Sequence, residues 1–147
     1  MTINIKNRKA SFEYHILNTY TAGLSLLGTE IKSIRNNKAN ISDAYCTFVD
    51  EELYVKNLHI SEYTNGGYNN HEPKRDRKLL LNKIEINKLL GKVKEKGNSI
   101  IPIRLFINQT GRCKLEISLA KGKKIYDKRE SIKEKDQKRE NDRVRKI

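Results

Sequence analysis

The side chains best placed to do chemistry in this chain are cationic, and the chemistry they offer is capture of a polyanion. Arg75, Arg77 and Lys78 stand together at the end of YTNGGYNNHEPKRDRK, a polar stretch rich in Gly and Asn. Such residues let a loop approach a sugar-phosphate backbone closely. Lys32, Arg35 and Lys38 recur every three residues, a spacing that lines the polar side of a short helix over Thr29 to Asn36 while Ile31 and Ile34 point inward. Charge alone fits a solvated basic face equally well. Tyr14, Tyr63, Tyr68 and Tyr126 add stacking platforms, worth about 1–3 kcal/mol per base where used. Tyr14 also reads as a core residue. Tyr126 stands among lysines with little to pack on and reads as a stacker.

Catalytic signatures are poor. Gly122-Lys123-Lys124 lacks the Gly-rich loop of a Walker A site. His71-Glu72 runs into Pro73 and has no second His, so it is no zinc helix, and no metal site is expected. Asp43, Asp50 and Glu51 do not form the clustered carboxylates of a metal-dependent nuclease. No GxSxG or Cys/His pattern occurs. Cys46 and Cys113 are far apart and read as reduced thiols buried in strands. A non-enzymatic protein without cofactors is the expectation.

The chain has 147 residues and a formal net charge of +13. Residues 121–147 hold twelve Lys/Arg against six Asp/Glu, a net +6; the other 120 residues hold 19 basic and 12 acidic groups, a net +7. Body and tail are therefore both basic, which points to RNA, DNA or an anionic membrane. The membrane reading fails on the absence of a long apolar run or an apolar stripe in the tail. The first residues, MTINIKNRKASFEYH, have no apolar core of signal-peptide length, so the cytoplasm is the expected compartment. The tail's only apolar residues are Ile125, Tyr126, Ile132, Val144 and Ile147. It cannot bury enough surface to offset its ordering entropy and is expected to be disordered when free. Glu134/Lys138 and Asp142/Lys146 are spaced to support a helix once a surface is found.

The elements that must position these groups read mostly as strand. Cys113, Leu115, Ile117 and Leu119 alternate with polar residues, as do Ile101, Ile103, Leu105 and Ile107 before them. Asn108-Gln109-Thr110-Gly111 joins the two runs into a hairpin, with Pro102 marking an edge or bulge. A second hairpin pairs Tyr45–Val49 with Leu53–Ile60 around Asp50-Glu51-Glu52, and a phase slip between Val55 and Leu58 suggests a bulge. Phe12 to Tyr20 reads as a strand, with a turn at Gly23 leading into Leu24–Leu27. Asn82-x-x-Glu85 reads as a capping box opening a helix with Ile86, Leu89, Leu90 and Val93 on one stripe, closed by Gly97. The fold class is mainly β: about six strands in a small antiparallel, OB-like barrel over residues 1–120, and a basic tail over 121–147.

NRKASFEYHI, AGLSLLGTEIKSIRNNKANISDAY, NHEPKRDRKLLLNKIEINKLLGKV and KGKKIYDKRESIKE, in this order, resemble the SsrA-binding proteins, the small protein B family of bacterial trans-translation. The resemblance implies a six-stranded OB-like barrel with three helices. It implies binding to the tRNA-like domain of transfer-messenger RNA and delivery of that RNA to ribosomes stalled without a stop codon. The tail would occupy the empty messenger channel near the decoding centre, against 16S ribosomal RNA, and fold there as a helix. Elongation factor Tu would join through the aminoacylated RNA, and the protein would act as a monomer. By position, the RNA face would be Lys32, Arg35, Lys38, Asn40, Asn70, His71, Arg75, Arg77, Lys78, Leu80, Asn82 and Lys114. The ribosome-facing set would be Lys121, Gly122, Lys123, Lys124, Tyr126, Asp127, Lys128 and Arg129. Two positions depart from the family's habit. Thr21 stands where an acidic residue commonly precedes Ala-Gly, and Tyr126 where His is common. The first puts one RNA contact in doubt; the second keeps a flat stacking ring but removes a titratable imidazole. Rival readings are a structural ribosomal protein and an RNA-processing enzyme.

Overall fold

In the computed structural model, residues 3–64, 67, 70–95 and 97–123 are described. Among them are nine strands and three helices: β1 (Asn4–Lys6), α1 (Ala10–Glu13), β2 (Tyr14–Leu24), α2 (Gly28–Arg35), β3 (Ala39–Asn40), β4 (Tyr45–Val49), β5 (Glu52–Lys56), β6 (His59–Ile60), β7 (Arg77–Leu80), α3 (Lys83–Val93), β8 (Asn98–Ile107) and β9 (Cys113–Gly122). The order β8-β4-β5-β7-β2-β9 closes on itself through β8–β9, and every pairing is antiparallel. The expected six-stranded ring is therefore present. β1 adds to the outside of β8, and β3 pairs with β6 as a separate ribbon.

Closure is partial along some seams, with β4 meeting β8 only at Cys46 and β2 meeting β7 only at Gly23 and Leu24. The inside of the ring is filled by fully buried Leu53, Val55, Leu79, Ile100, Leu105, Leu115 and Ile117. Ile34 from α2 and Leu89 from α3 plug the same core. Alternation along β9 is as read, but along β8 it breaks. A register shift between Pro102 and Arg104 moves Ile101 and Ile103 into a small second cluster with Ala10, Ala120 and Tyr14, while Ile100 and Leu105 face the main core. Pro102 thus marks a bulge rather than an edge.

Other expectations are corrected, among them the loop read from Tyr63 to Leu79, whose end Arg77–Leu80 is strand β7. Gly23 does not turn the chain; β2 runs through it, pairing with Leu80 on one side and Lys114 on the other. The slip after Val55 is a break: β5 ends at Lys56, Asn57 adopts φ +59°, and β6 restarts at His59. Gly97 does not close α3, which ends at Val93 with Lys94 as cap; Gly97, at φ +86°, instead turns the chain into β8. Phe12 and Glu13 belong to α1, and the strand begins only at Tyr14. β9 continues to Gly122, two residues past Ala120. Cys46 is buried and Cys113 half-buried, both unpaired; burial pushes the Cys113 thiol up to about 12.

Candidate nucleic-acid interface

Leu27 caps the start of α2, and its N–H donates to Glu30 Oε1 at 2.8 Å. This is the carboxylate half of a capping box. Glu30 has no exposed surface, yet it is the centre of the site. Arg75 Nη2 donates to its Oε1 at 2.7 Å, and Arg77 Nε donates to its Oε2. Arg77 is itself 0% exposed, and its remaining donors reach the carbonyls of Leu58, Pro73 and Glu72. Burial alone would raise the Glu30 carboxyl; hydrogen bonds from Arg75, Leu27 and Arg77 outweigh it and hold the group below its ordinary value.

A second set of bonds ties the 63–71 segment to α2. His71 Nε2 lies 2.8 Å from the Ile60 carbonyl, which can only accept, so that nitrogen carries a proton. Nδ1 meets the Thr29 hydroxyl at 2.9 Å. Asn70 Oδ1 accepts from Tyr63 N–H at 3.0 Å, and Asn70 Nδ2 donates to the Tyr63 carbonyl at 2.7 Å. Tyr63 is thereby fixed beneath Lys32, whose Nζ stands 5.4 Å from the ring centroid. Lys32, Arg35, Lys38 and Asn40 are all exposed along this side. Arg77 and His71 are not: they were expected to touch RNA, and the structure spends both inside the protein, holding the surface in place. Asn70 does the same work while half-buried.

The remaining body residues gather on the outer face of β7, β2 and β9. Leu80 and Lys114 flank Gly23, and a Cβ there would lie 3.3 Å from Leu80 Cβ and 3.7 Å from Lys114 Nζ. A side chain at position 23 would press on Leu80 and touch Lys114. Leu80 is 52% exposed, an apolar group offered to solvent beside a cation. Asn82 follows it and accepts from Glu85 N–H at 2.9 Å, so its side chain caps α3. Lys78 pairs with Glu52 at 3.1 Å. Thr21 lies directly across from Glu116, whose carboxylate accepts from Arg104 at 2.7 Å. Ser25 joins the two halves: its carbonyl accepts from Arg75 at 3.2 Å, and its N–H donates to the Lys78 carbonyl at 3.1 Å. Ser25 thus ties Arg75 on one side to β7 on the other.

At the far end of β9, Lys121 and Gly122 are strand residues, paired with His15 and Tyr14, and Lys123 N–H donates to the Glu13 carbonyl at 2.9 Å. Lys124, Tyr126, Asp127, Lys128 and Arg129 lie outside the described residues, as does Tyr68. No group of three or more His, Cys, Asp or Glu able to hold a metal occurs among the described residues. No helix there is long and apolar enough to cross a membrane.

Comparison with known proteins decides the family. The family model described as SmpB protein matches residues 4–147. The chain belongs to the SmpB family. It is 61% identical over 142 residues to an SsrA-binding protein of Phocaeicola vulgatus, covering 97% of this chain and 95% of that one. It is 58% identical to the SsrA-binding protein of Bacteroides thetaiotaomicron, covering 95% and 93%. A solved SmpB structure, "tmRNA-SmpB: a journey to the center of the bacterial ribosome", matches with TM-score 0.70 and 45% identity over 84% of this chain and 86% of that one. Sequence reasoning missed Glu30 and Gly23. Leu27-x-x-Glu30 lacks the hydroxyl that usually announces a capping box, and a glycine in a strand reads as a turn until its neighbours are known.

Proposed function

We propose that this SmpB-family chain binds transfer-messenger RNA and brings it to stalled ribosomes for trans-translation, without itself catalysing a reaction. The observation that carries this reading is the match along nearly the whole chain to proteins named for SsrA binding, with the cationic surface lying inside the matched span. Lys32, Arg35, Lys38 and Arg75 would contact phosphates, which position an RNA without reading its sequence. Leu80, Gly23 and Lys114 would take a flat or splayed part of the fold, in keeping with recognition by shape. Arg77, His71 and Asn70 serve from below. Lys121, Gly122, Lys123, Lys124, Tyr126, Asp127, Lys128 and Arg129 would face the ribosome, the barrel would hold the RNA, and the whole would work in the cytoplasm.

The test is recovery of the native protein from cells with sequencing of the RNA that accompanies it. Enrichment of one structured RNA carrying tRNA-like and coding segments is the expected result. Enrichment of ribosomal RNA alone would favour a structural ribosomal protein instead.

A further inference from the structure

One cavity lies away from the cationic surface, at the end of the barrel where β9 hands over to the tail. It encloses about 330 Å³ between α1, the start of β2 and the turn before β4, and its walls include Lys9, Glu13, Tyr14, Ser42, Asp43 and Tyr45. That volume sits at the small end of ligand sites, the size of one nucleobase rather than a larger ligand. Tyr14 packs on Ala10, Ile101 and Ala120, so the ring is held from behind, and it also lines the cavity. Tyr45 is 46% exposed. Lys9 and Asp43 meet only at 3.9 Å, with side chains 60% and 84% exposed. Such a pair opens at little cost.

We propose that this cavity receives a single unpaired base extruded from a structured RNA. Tyr14 and Tyr45 supply stacking surface, and Lys9 meets the adjoining phosphate. Glu13 and Asp43 accept from an exocyclic amino group, as carboxylates do from cytosine N4. Adenine, cytosine and guanine carry such a group and uracil does not, so the site discriminates against uracil. The inference rests on the RNA-binding function proposed above and adds a second point of contact to it. The cavity adjoins the bond that Lys123 N–H donates to the Glu13 carbonyl.

The experiment uses full-length protein bound to ribosomes together with its transfer-messenger RNA. Dimethyl sulfate and kethoxal report the base-pairing edges of unpaired adenine, cytosine and guanine. The native protein and Tyr45→Phe should protect one such base, and Tyr45→Ala should raise its reactivity several-fold while overall RNA binding is retained. Tyr45 is half exposed on its strand, so the alanine variant should fold, and an unchanged thermal midpoint checks this. Glu13→Gln should weaken the same protection selectively. Protections identical in all variants would overturn the proposal, as would loss of all RNA binding in Tyr45→Ala, which would make Tyr45 a general affinity residue. Failure of the native protein to bind any RNA would instead overturn the functional reading beneath it.

Discussion

Glu30 shows how much of this candidate interface depends on a residue that no RNA could touch. A buried carboxylate is tolerable only with its charge answered, and here two arginines and a backbone N–H answer it. Removing it would leave Arg77 buried and unpaired. Glu30→Gln should therefore destabilise the protein by about 3–5 kcal/mol, measured by urea unfolding. The same group carries an acid dependence. Its carboxyl is held below the ordinary value of 4.5, so as pH falls past that value the unfolded chain takes up a proton that the native chain still refuses. Stability contributed by Glu30 is full above that range and is lost as pH falls through it. The native protein should lose more stability than Glu30→Gln between neutral pH and about pH 4. The buried place of Arg77 also settles which cations to remove when RNA affinity is the question. Substituting Arg77 would confound folding with binding. Lys32, Arg35 and Lys38 are exposed, and changing all three to Gln should lower the slope of log affinity against log salt by about 2–3 if each meets a phosphate. An unchanged slope would reduce them to a solvated face.

At the scale of elements, period-2 alternation was enough to find both hairpins, because burial on one face and water on the other leaves that mark in the residues themselves; it did not find β7, whose Arg77–Leu80 stand at the end of a stretch that reads as loop. What alternation could not reveal was where the phase changes. Ile101, Ile103, Leu105 and Ile107 look like one stripe, yet the bulge after Pro102 divides them between two clusters. The same logic applies to the site. Exposed Lys32, Arg35 and Lys38 were legible from helical spacing, whereas Arg75 and Arg77, two residues apart, look alike in sequence and differ entirely in burial. Both reach Glu30, but only Arg77 does so from inside the protein, with its remaining donors on the carbonyls of Leu58, Pro73 and Glu72. Local geometry yields two further tests. Asn82 caps α3 through Glu85 N–H, so Asn82→Ala should cost about 1 kcal/mol in denaturant unfolding. The β4–β5 turn places Asp50 at φ +52° and Glu51 at φ +67°, a conformation favouring Asn-Gly. Asp50→Asn with Glu51→Gly should stabilise the protein by about 1 kcal/mol; a lower unfolding midpoint would count against strain at this turn.

For the whole molecule, the division of charge bears on the proposed division of labour. The 120 residues before Lys121 carry a net +7 of their own, enough to attract RNA without help from the +6 that follows. The barrel's surface is also fixed by bonds that do not involve the tail. RNA capture and ribosome engagement should then be separable, provided the cut leaves the barrel whole. Cutting after Ala120 would not. It removes Lys121 and Gly122 from β9, with their pairings to His15, Asn98 and Tyr14, and deletes the Lys123–Glu13 bond. Cutting after Lys123 keeps all of these. The chain ending at Lys123 should unfold at nearly the native temperature and bind transfer-messenger RNA with nearly native affinity and salt slope, yet fail to support peptide tagging on stalled ribosomes. The chain ending at Ala120 should unfold at a lower temperature. A folded chain ending at Lys123 that had lost its RNA affinity would show that the tail is part of the RNA clamp, and the two-module division would have to be abandoned.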